Sequence, residues 1–222
     1  MKNKKQLYFA LSMLMAFAFW TVLISCVDVK QIGPAGTMVG LATINRFIHN
    51  LTGVNLTLYY VTDLLGLVPI LFVFVFGVEG IIQLIKRKNI FKVDFNILIL
   101  GGFYIVTIAV YLFFELVVIN YRPILINGVL EASYPSSTTL LALCVVPTGI
   151  MQFNSRIKNN MLRRGVSIIL STFTVFMVTA RFVSGVHWFT DIIGGILFSA
   201  GLVNLYNYIV CSNSRKNALY KS

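Results

Sequence analysis

Charge is scarce in this sequence: Asp, Glu, Lys and Arg together make up 11% of the 222 residues, where a soluble globular domain carries about 25%. With 58% hydrophobic residues and a mean hydropathy of +0.85, a soluble globular domain is excluded and the solvent is mostly lipid. The three cysteines, Cys26, Cys144 and Cys211, lie in or beside apolar runs without metal-ligand spacing. Neither a disulfide framework nor a zinc site is indicated. Internal repeats, low-complexity stretches and linkers are also missing, so residues 1–222 are expected to form a single domain. Acidic residues number only 7 against 18 Lys and Arg, a net charge of +11, and the basic residues must be placed relative to the membrane before any nucleic-acid reading is entertained.

What the sequence has in abundance is long apolar runs. A lipid-exposed segment must satisfy its own backbone hydrogen bonds, so runs of about 20 apolar residues read as helices crossing roughly 30 Å of hydrocarbon. Six are expected: Leu7 to Val27, Leu64 to Ile85, Ile97 to Ile119, Ser137 to Phe153, Gly165 to Val183 and Ile192 to Val210. The fold class is therefore all-α, a polytopic membrane protein with six transmembrane helices in one bundle. The fourth run is short and holds Pro147. Fourteen of the 18 basic residues fall before span one, between spans two and three, between four and five, and in the tail; only Lys30, Arg46, Arg122 and Arg181 fall on the other side. Cytoplasmic loops collect Lys and Arg, so both termini are expected in the cytoplasm of a cell-membrane protein. The basic excess then reflects topology and anionic lipid, and no nucleic-acid partner is expected.

The connection from Asp28 to Asn55 lies outside in this reading and forms an interfacial segment between spans one and two. Ile44, Phe47, Ile48 and Leu51 recur there at helical spacing, while Arg46, His49 and Asn50 take other faces. Such a segment can cap a site, guide a lipid or simply rest on the membrane. Leu23-Ile24-Ser25-Cys26 resembles a bacterial lipoprotein cleavage box. The run before it is long for a signal peptide, and a six-span bundle needs its first helix.

Three polar clusters lie at the outer level, where ionisable residues in a membrane protein point to function. Arg122-Pro123 follows Glu115 by seven residues at the outer end of span three; Pro135-Ser136-Ser137-Thr138-Thr139 starts span four; Arg181, His187 and Asp191 run from span five into span six. Asp191, four residues after His187, can meet the imidazole within one helical turn, fix its tautomer and leave the other nitrogen free to attack. Arg181 supplies a planar cation for phosphoryl oxygens. A helix N-terminus bearing Ser and Thr suits a phosphate. Taken singly, each cluster has an ordinary structural use: a His–carboxylate pair, a helix cap, a snorkelling arginine. Together at one level they point to phosphate chemistry. Two guanidiniums and a helix N-terminus already neutralise a phosphate, so no metal and no cofactor are expected.

At these residues the chain resembles the type-2 phosphatidic acid phosphatase, or lipid phosphate phosphatase, family, whose pattern is Lys-x6-Arg-Pro, Pro-Ser-Gly-His and Ser-Arg-x5-His-x3-Asp. Arg122-Pro123, Pro135-Ser136, and Arg181, His187 and Asp191 match in order and spacing. The resemblance implies a six-helix membrane fold, a membrane lipid as partner and metal-independent phosphoryl transfer through a phosphohistidine on the outer face. His187 would be the nucleophile and Asp191 its orienting group, with Arg122, Arg181 and Ser136 holding phosphate beside Ser137 and Thr138. Three positions depart: Glu115 replaces the family lysine, Ser137-Thr138 the Gly-His, and Ala180 the leading serine. The family histidine at position 138 protonates the leaving oxygen, a role worth roughly 100- to 10,000-fold that threonine does not fill. Three readings follow: an enzyme acting on a lipid diphosphate, whose leaving phosphate needs little protonation; an enzyme in which Glu115 donates a proton or binds a cationic or hydroxylated head group; and a pseudoenzyme that binds lipid phosphates without turnover. A transporter, the remaining class, would place several charges at the midplane or break helices in repeated halves; here Asp63 sits near the outer end of span two and Glu79 lies deeper, where it could pair with the basic inner loop.

Overall fold

The computed structural model describes residues 2–219, with side chains over 4–213. Lys2, Arg215, Lys216 and Lys221, which enter the count of basic residues above, have side chains outside that described range. In chain order the elements are α1 (Lys2–Cys26), a short antiparallel pair β1 (Lys30–Gln31) and β2 (Met38–Val39), α2 (Ala42–Thr52), α3 (Leu56–Leu65), α4 (Leu67–Arg87), α5 (Phe95–Leu116), α6 (Ser137–Arg156), α7 (Asn160–Val183) and α8 (Phe189–Leu219). The all-α membrane bundle expected from the apolar runs is what forms. Its perimeter is apolar, with Phe74, Ile85, Ile105, Ile168 and Ile169 each about two-thirds exposed, as side chains facing lipid must be.

Among the described residues five helical stretches are long and apolar enough to cross a membrane: Lys4–Cys26, Leu56–Arg87, Phe95–Leu116, Asn160–Val183 and Phe189–Asn213. The sixth expected span, α6, falls short on composition for a physical reason. It packs against α4, α5, α7 and α8 and buries Thr138, Thr139, Thr148 and Gln152. A helix surrounded by helices meets little lipid and can satisfy polar side chains from its neighbours: Gln152 donates to the Tyr206 hydroxyl at 2.6 Å, and Thr148 lies 3.3 Å from the Tyr104 hydroxyl. The core on both sides of α6 is apolar, built from Leu100, Phe103, Tyr104, Leu140, Val145, Phe198 and Tyr206.

The second expected span is longer than its apolar run suggested and is divided. α3 and α4 form one stretch from Leu56 to Arg87, broken at Gly66, three residues before Pro69. Proline lacks an N–H and crowds the carbonyl four residues earlier, which accounts for the break. At the end of the bundle where α4 and α6 finish, Arg156 meets Glu79 at 2.9 Å and Arg87 meets Asp94 at 2.7 Å. Glu79 is thus a structural partner of a basic loop. α1 lies along α8, with Trp20 donating to the Thr190 carbonyl at 3.1 Å; Cys26 is its last residue and is exposed.

α2 turns its apolar residues outward: Ile44, Phe47 and Leu51 are exposed, while Ala42 and Asn45 are fully buried. An amphipathic helix that hides its small and polar face in the protein and shows its apolar face is suited to the membrane interface.

Candidate active site

The site forms at the end of the bundle opposite the Glu79–Arg156 pair, from three segments. The first is the turn between α7 and α8. Gly185 has φ +66°, and a Cβ there would lie 1.8 Å from the Gly53 carbonyl oxygen, so only glycine allows this turn to press against the one between α2 and α3. Asn55 N–H donates to the Ser184 carbonyl at 2.9 Å across the same contact. This packing holds Val186 and His187 inside the protein.

The second segment is an irregular hairpin after α5. Tyr121 bridges Ala132, Ile126 bridges Val129, and the Arg122 N–H donates to the Glu131 carbonyl at 3.0 Å. Its base is tied by Ser133 N–H donating to the Asn120 carbonyl at 2.9 Å. The third segment is the start of α6, joined to α8 by a Ser136 N–H bond to the Asp191 carbonyl at 3.2 Å.

His187 is buried, and its Nδ1 lies 3.1 Å from the Ser133 carbonyl oxygen but 3.8 Å from Asp191 Oδ2. A carbonyl only accepts, so Nδ1 carries the proton and Nε2 the lone pair. The tautomer is therefore set by Ser133, while Asp191 stands just beyond hydrogen-bond reach. Asp191 spends its own oxygens on the turn: Oδ2 accepts from the Trp188 N–H at 2.9 Å and Oδ1 from Asn120 Nδ2 at 3.4 Å. Burial first, then the fields of Arg122 and Arg181, push the His187 pKa well below the usual histidine range, against the opposing Ser133 bond. The ring is neutral at neutral pH.

Both arginines come to one aromatic ring. The Arg122 guanidinium lies 5.7 Å and that of Arg181 4.6 Å from the Tyr59 ring centroid, a placement that offsets part of the cost of burying two cations. Arg181 Nη1 also donates to Thr62 Oγ1 at 3.1 Å, and Nη2 lies 3.9 Å from Asp63. Arg122 Nε lies 3.0 Å from Glu131 Oε2, close enough for an ion pair but without hydrogen-bond alignment.

Among the described residues, six buried atoms in these segments lack a hydrogen-bond partner: His187 Nε2, Arg122 Nε and Nη1, Arg181 Nε, Ser136 Oγ and Thr139 Oγ1. Ser136 stands at the N-cap of α6 yet makes no side-chain capping bond, so its hydroxyl is not consumed by the ordinary use of a serine at that position. Glu115 and Ser137 line one narrow recess with His187, Tyr111 and Ser133. Thr138 instead lines the adjoining cavity of about 380 Å³, together with Asp63, Thr107 and Leu140. Among the described residues no three His, Cys, Asp or Glu side chains converge to hold a metal.

Sequence reasoning did not find Tyr59, Asn120, Glu131 or Ser133. Ser133 acts through a carbonyl any residue supplies, and Tyr59 is 122 positions from the arginine it meets, so neither leaves a local signal.

The comparisons with known proteins agree with this architecture. No curated protein matches the chain in sequence. The fold is similar to that of the first transmembrane PAP2-type phosphatidylglycerolphosphate phosphatase from Bacillus subtilis, with a TM-score of 0.58 and 18% identity over 93% of this chain and 97% of that one. Residues 108–215, which carry all three polar clusters, match the family model of the PAP2 superfamily. The motif spacing, the family-model match over residues 108–215 and the bundle thus agree in their similarity to the PAP2 superfamily.

Proposed function

We propose that this protein is an integral membrane phosphatase or phosphotransferase acting on a lipid phosphate or diphosphate at the outer face, through a phosphohistidine on His187. The observation that carries this reading is that the unpartnered buried atoms of the site include His187 Nε2, Arg122 Nη1, Arg181 Nε and Ser136 Oγ. Buried polar groups are nearly always paired, and a cluster of exceptions from three separate segments is what a phosphate with its many acceptor oxygens would satisfy. The neutral His187 ring presents a lone pair at Nε2. In-line attack on phosphorus would form the N–P bond as the lipid oxygen leaves; Asp191 and the Ser133 carbonyl would offset the charge on the ring, and water would then release phosphate and restore the histidine.

The second reading, a pseudoenzyme that binds lipid phosphates, is favoured by Thr138, which offers no acid for an alkoxide leaving group. A phosphate leaving group has a second pKa near 6 and does not require one. The deciding experiment is a phosphate-release screen of the purified protein against monophosphate and diphosphate lipids, with His187→Ala as control. Release by wild type and a loss of at least about a thousandfold in the variant, roughly 4 kcal/mol, is expected. Lipid phosphate binding without release in both proteins would favour the pseudoenzyme.

A further inference from the structure

A side chain from outside the three motifs joins the parts of the candidate site. Tyr59 stands in α3, well before residues 108–215, and is 7% exposed. It belongs to one apolar cluster with Ile126, in the hairpin that carries Arg122, and with Val186, in the turn that carries His187. The same ring meets the Arg181 guanidinium carbon at 4.6 Å and that of Arg122 at 5.7 Å, and the Tyr59 carbonyl accepts from Arg181 Nη1 at 3.4 Å. The hairpin, the end of α7 and the turn into α8 therefore meet on one residue.

Packing alone does not call for an aromatic ring here, but the two cations do. Buried like charges repel and lose their hydration, and a π system attracts a cation without taking any of its N–H donors. Arg122 Nη1 and Arg181 Nε accordingly stay unpartnered although the ring engages both guanidiniums. Each arginine also has a competitor for those donors. Glu131 Oε2 lies 3.0 Å from Arg122 Nε, and Asp63 Oδ1 lies 3.9 Å from Arg181 Nη2. Neither contact is a hydrogen bond, the first for want of alignment and the second for distance. A guanidinium free to turn would close a bidentate pair with its carboxylate, and a phosphate would then have to break that pair to bind.

We propose that Tyr59 is a positioning residue of the phosphate site: its ring holds both guanidiniums short of their carboxylates, with N–H donors free, so that phosphate meets a preformed pair. The proposal rests on the phosphate-binding reading above and adds to it a residue that the motifs do not contain. Long arginine side chains lose much rotamer freedom when they are fixed, and fixing them before the ligand arrives leaves more of the interaction to appear as affinity. The role belongs to the ring and not to the hydroxyl, so phenylalanine should fill it and leucine should not.

The test uses the full-length protein in nonionic detergent and inorganic phosphate as the probe, with binding read by titration calorimetry. Tyr59→Leu is expected to weaken phosphate about tenfold, or about 1.4 kcal/mol, and Tyr59→Phe to stay within about twofold of wild type. On a lipid phosphate that wild type hydrolyses, Tyr59→Leu should raise KM by a similar factor and leave kcat nearly unchanged, because the preformed pair serves ground state and transition state alike. In an Arg181→Gln background the loss from Tyr59→Leu should shrink to about threefold, since the ring acts through the arginines. If Tyr59→Leu does not fold, Tyr59→pentafluorophenylalanine replaces it, keeping the ring's shape while reversing its quadrupole, and the same weakening is expected. Wild-type phosphate affinity in the folded variant, equal losses in Tyr59→Leu and Tyr59→Phe, or an undiminished loss in the Arg181→Gln background would overturn the proposal. If no lipid phosphate is hydrolysed, weaker phosphate binding in Tyr59→Leu but not in Tyr59→Phe upholds the positioning role while the phosphatase reading fails. Absence of phosphate binding in wild type overturns both.

Discussion

At the scale of single residues, the decisive contact is the one between the Ser133 carbonyl and His187 Nδ1, 3.1 Å long. It fixes the ring's proton on the buried side, and burial with two nearby guanidiniums keeps the ring neutral well below the usual histidine pKa. Two predictions follow from the direction of that shift. The nucleophile should remain deprotonated through the ordinary histidine range, so an NMR titration of the His187 ring should show no transition near pH 6.5; a transition there would contradict the assignment. Stability should move the opposite way, because an unfolded histidine takes a proton below about 6.5 while the folded one does not. The folded state then loses up to about 1.4 kcal/mol per pH unit from His187 as pH falls from 6.5 toward the depressed value. Thermal melts of wild type and His187→Gln should therefore converge on acidification. Asn120 is the residue most open to test without touching substrate. Its Nδ2 donates to Asp191 Oδ1 and its Oδ1 accepts from the Gly40 N–H, both at 3.4 Å. Asn120→Ala should lower kcat by about tenfold, roughly 1.4 kcal/mol, with little change in KM. A rise in KM with kcat unchanged would instead mark a substrate contact.

Among the elements, α2 shows how a peripheral helix bears on the site. Asn45 is fully buried, and its amide donates to Thr190 Oγ1 at 3.0 Å and the Gly40 carbonyl at 2.9 Å while accepting from the Thr190 N–H at 3.2 Å. Thr190 precedes Asp191, so the interfacial helix is fastened to the first turn of α8, where Asp191 sits. Asn45→Ala would leave buried groups of Thr190 unpaired, at a cost of about 1–3 kcal/mol. A lower thermal midpoint with reduced phosphate release is expected, and an unchanged midpoint would show that α2 is fastened elsewhere. The sequence made α2 legible through Ile44, Phe47, Ile48 and Leu51, but not Asn45, because the periodicity of apolar residues marks the face toward lipid and is silent about the polar face turned inward. The same limit explains α6. Its start at Ser137 was readable from the Ser and Thr cluster, whereas the partners that satisfy Thr148 and Gln152, the Tyr104 and Tyr206 hydroxyls, come from other helices and leave no local signal. In the second span, Pro69 was visible but the helical extension back to Leu56 was not, since Thr57, Thr62 and Asp63 dilute the apolar run.

For the whole molecule, what was legible was whatever recurs along the chain: apolar runs, the separation of basic loops, and a motif confined to residues 115–191. What was not legible was the convergence of distant residues, Tyr59 with Arg122 and Arg181, or Asn45 with Thr190, which exists only once the helices pack. The distribution of charge carries a last prediction at this scale. Fourteen of the 18 basic residues lie at the termini or in the connections between spans two and three and between four and five, the end marked by the Glu79–Arg156 and Arg87–Asp94 pairs. Each Lys or Arg near an anionic cytoplasmic leaflet contributes about 1 kcal/mol, and such loops resist translocation. The hairpin between Arg122 and Glu131 lies at the opposite end and should face outward. The exposed Cys26 must first be replaced by serine; Cys144 is fully buried and Cys211 half-buried, and both should be replaced for a silent background. In intact cells an impermeant thiol reagent should then label Val129→Cys, which is exposed in the hairpin, and spare Lys158→Cys, exposed in the connection between α6 and α7, until the membrane is permeabilised. The reverse pattern would put the His187 recess on the cytoplasmic side, where its lipid phosphate would have to be drawn from the inner leaflet.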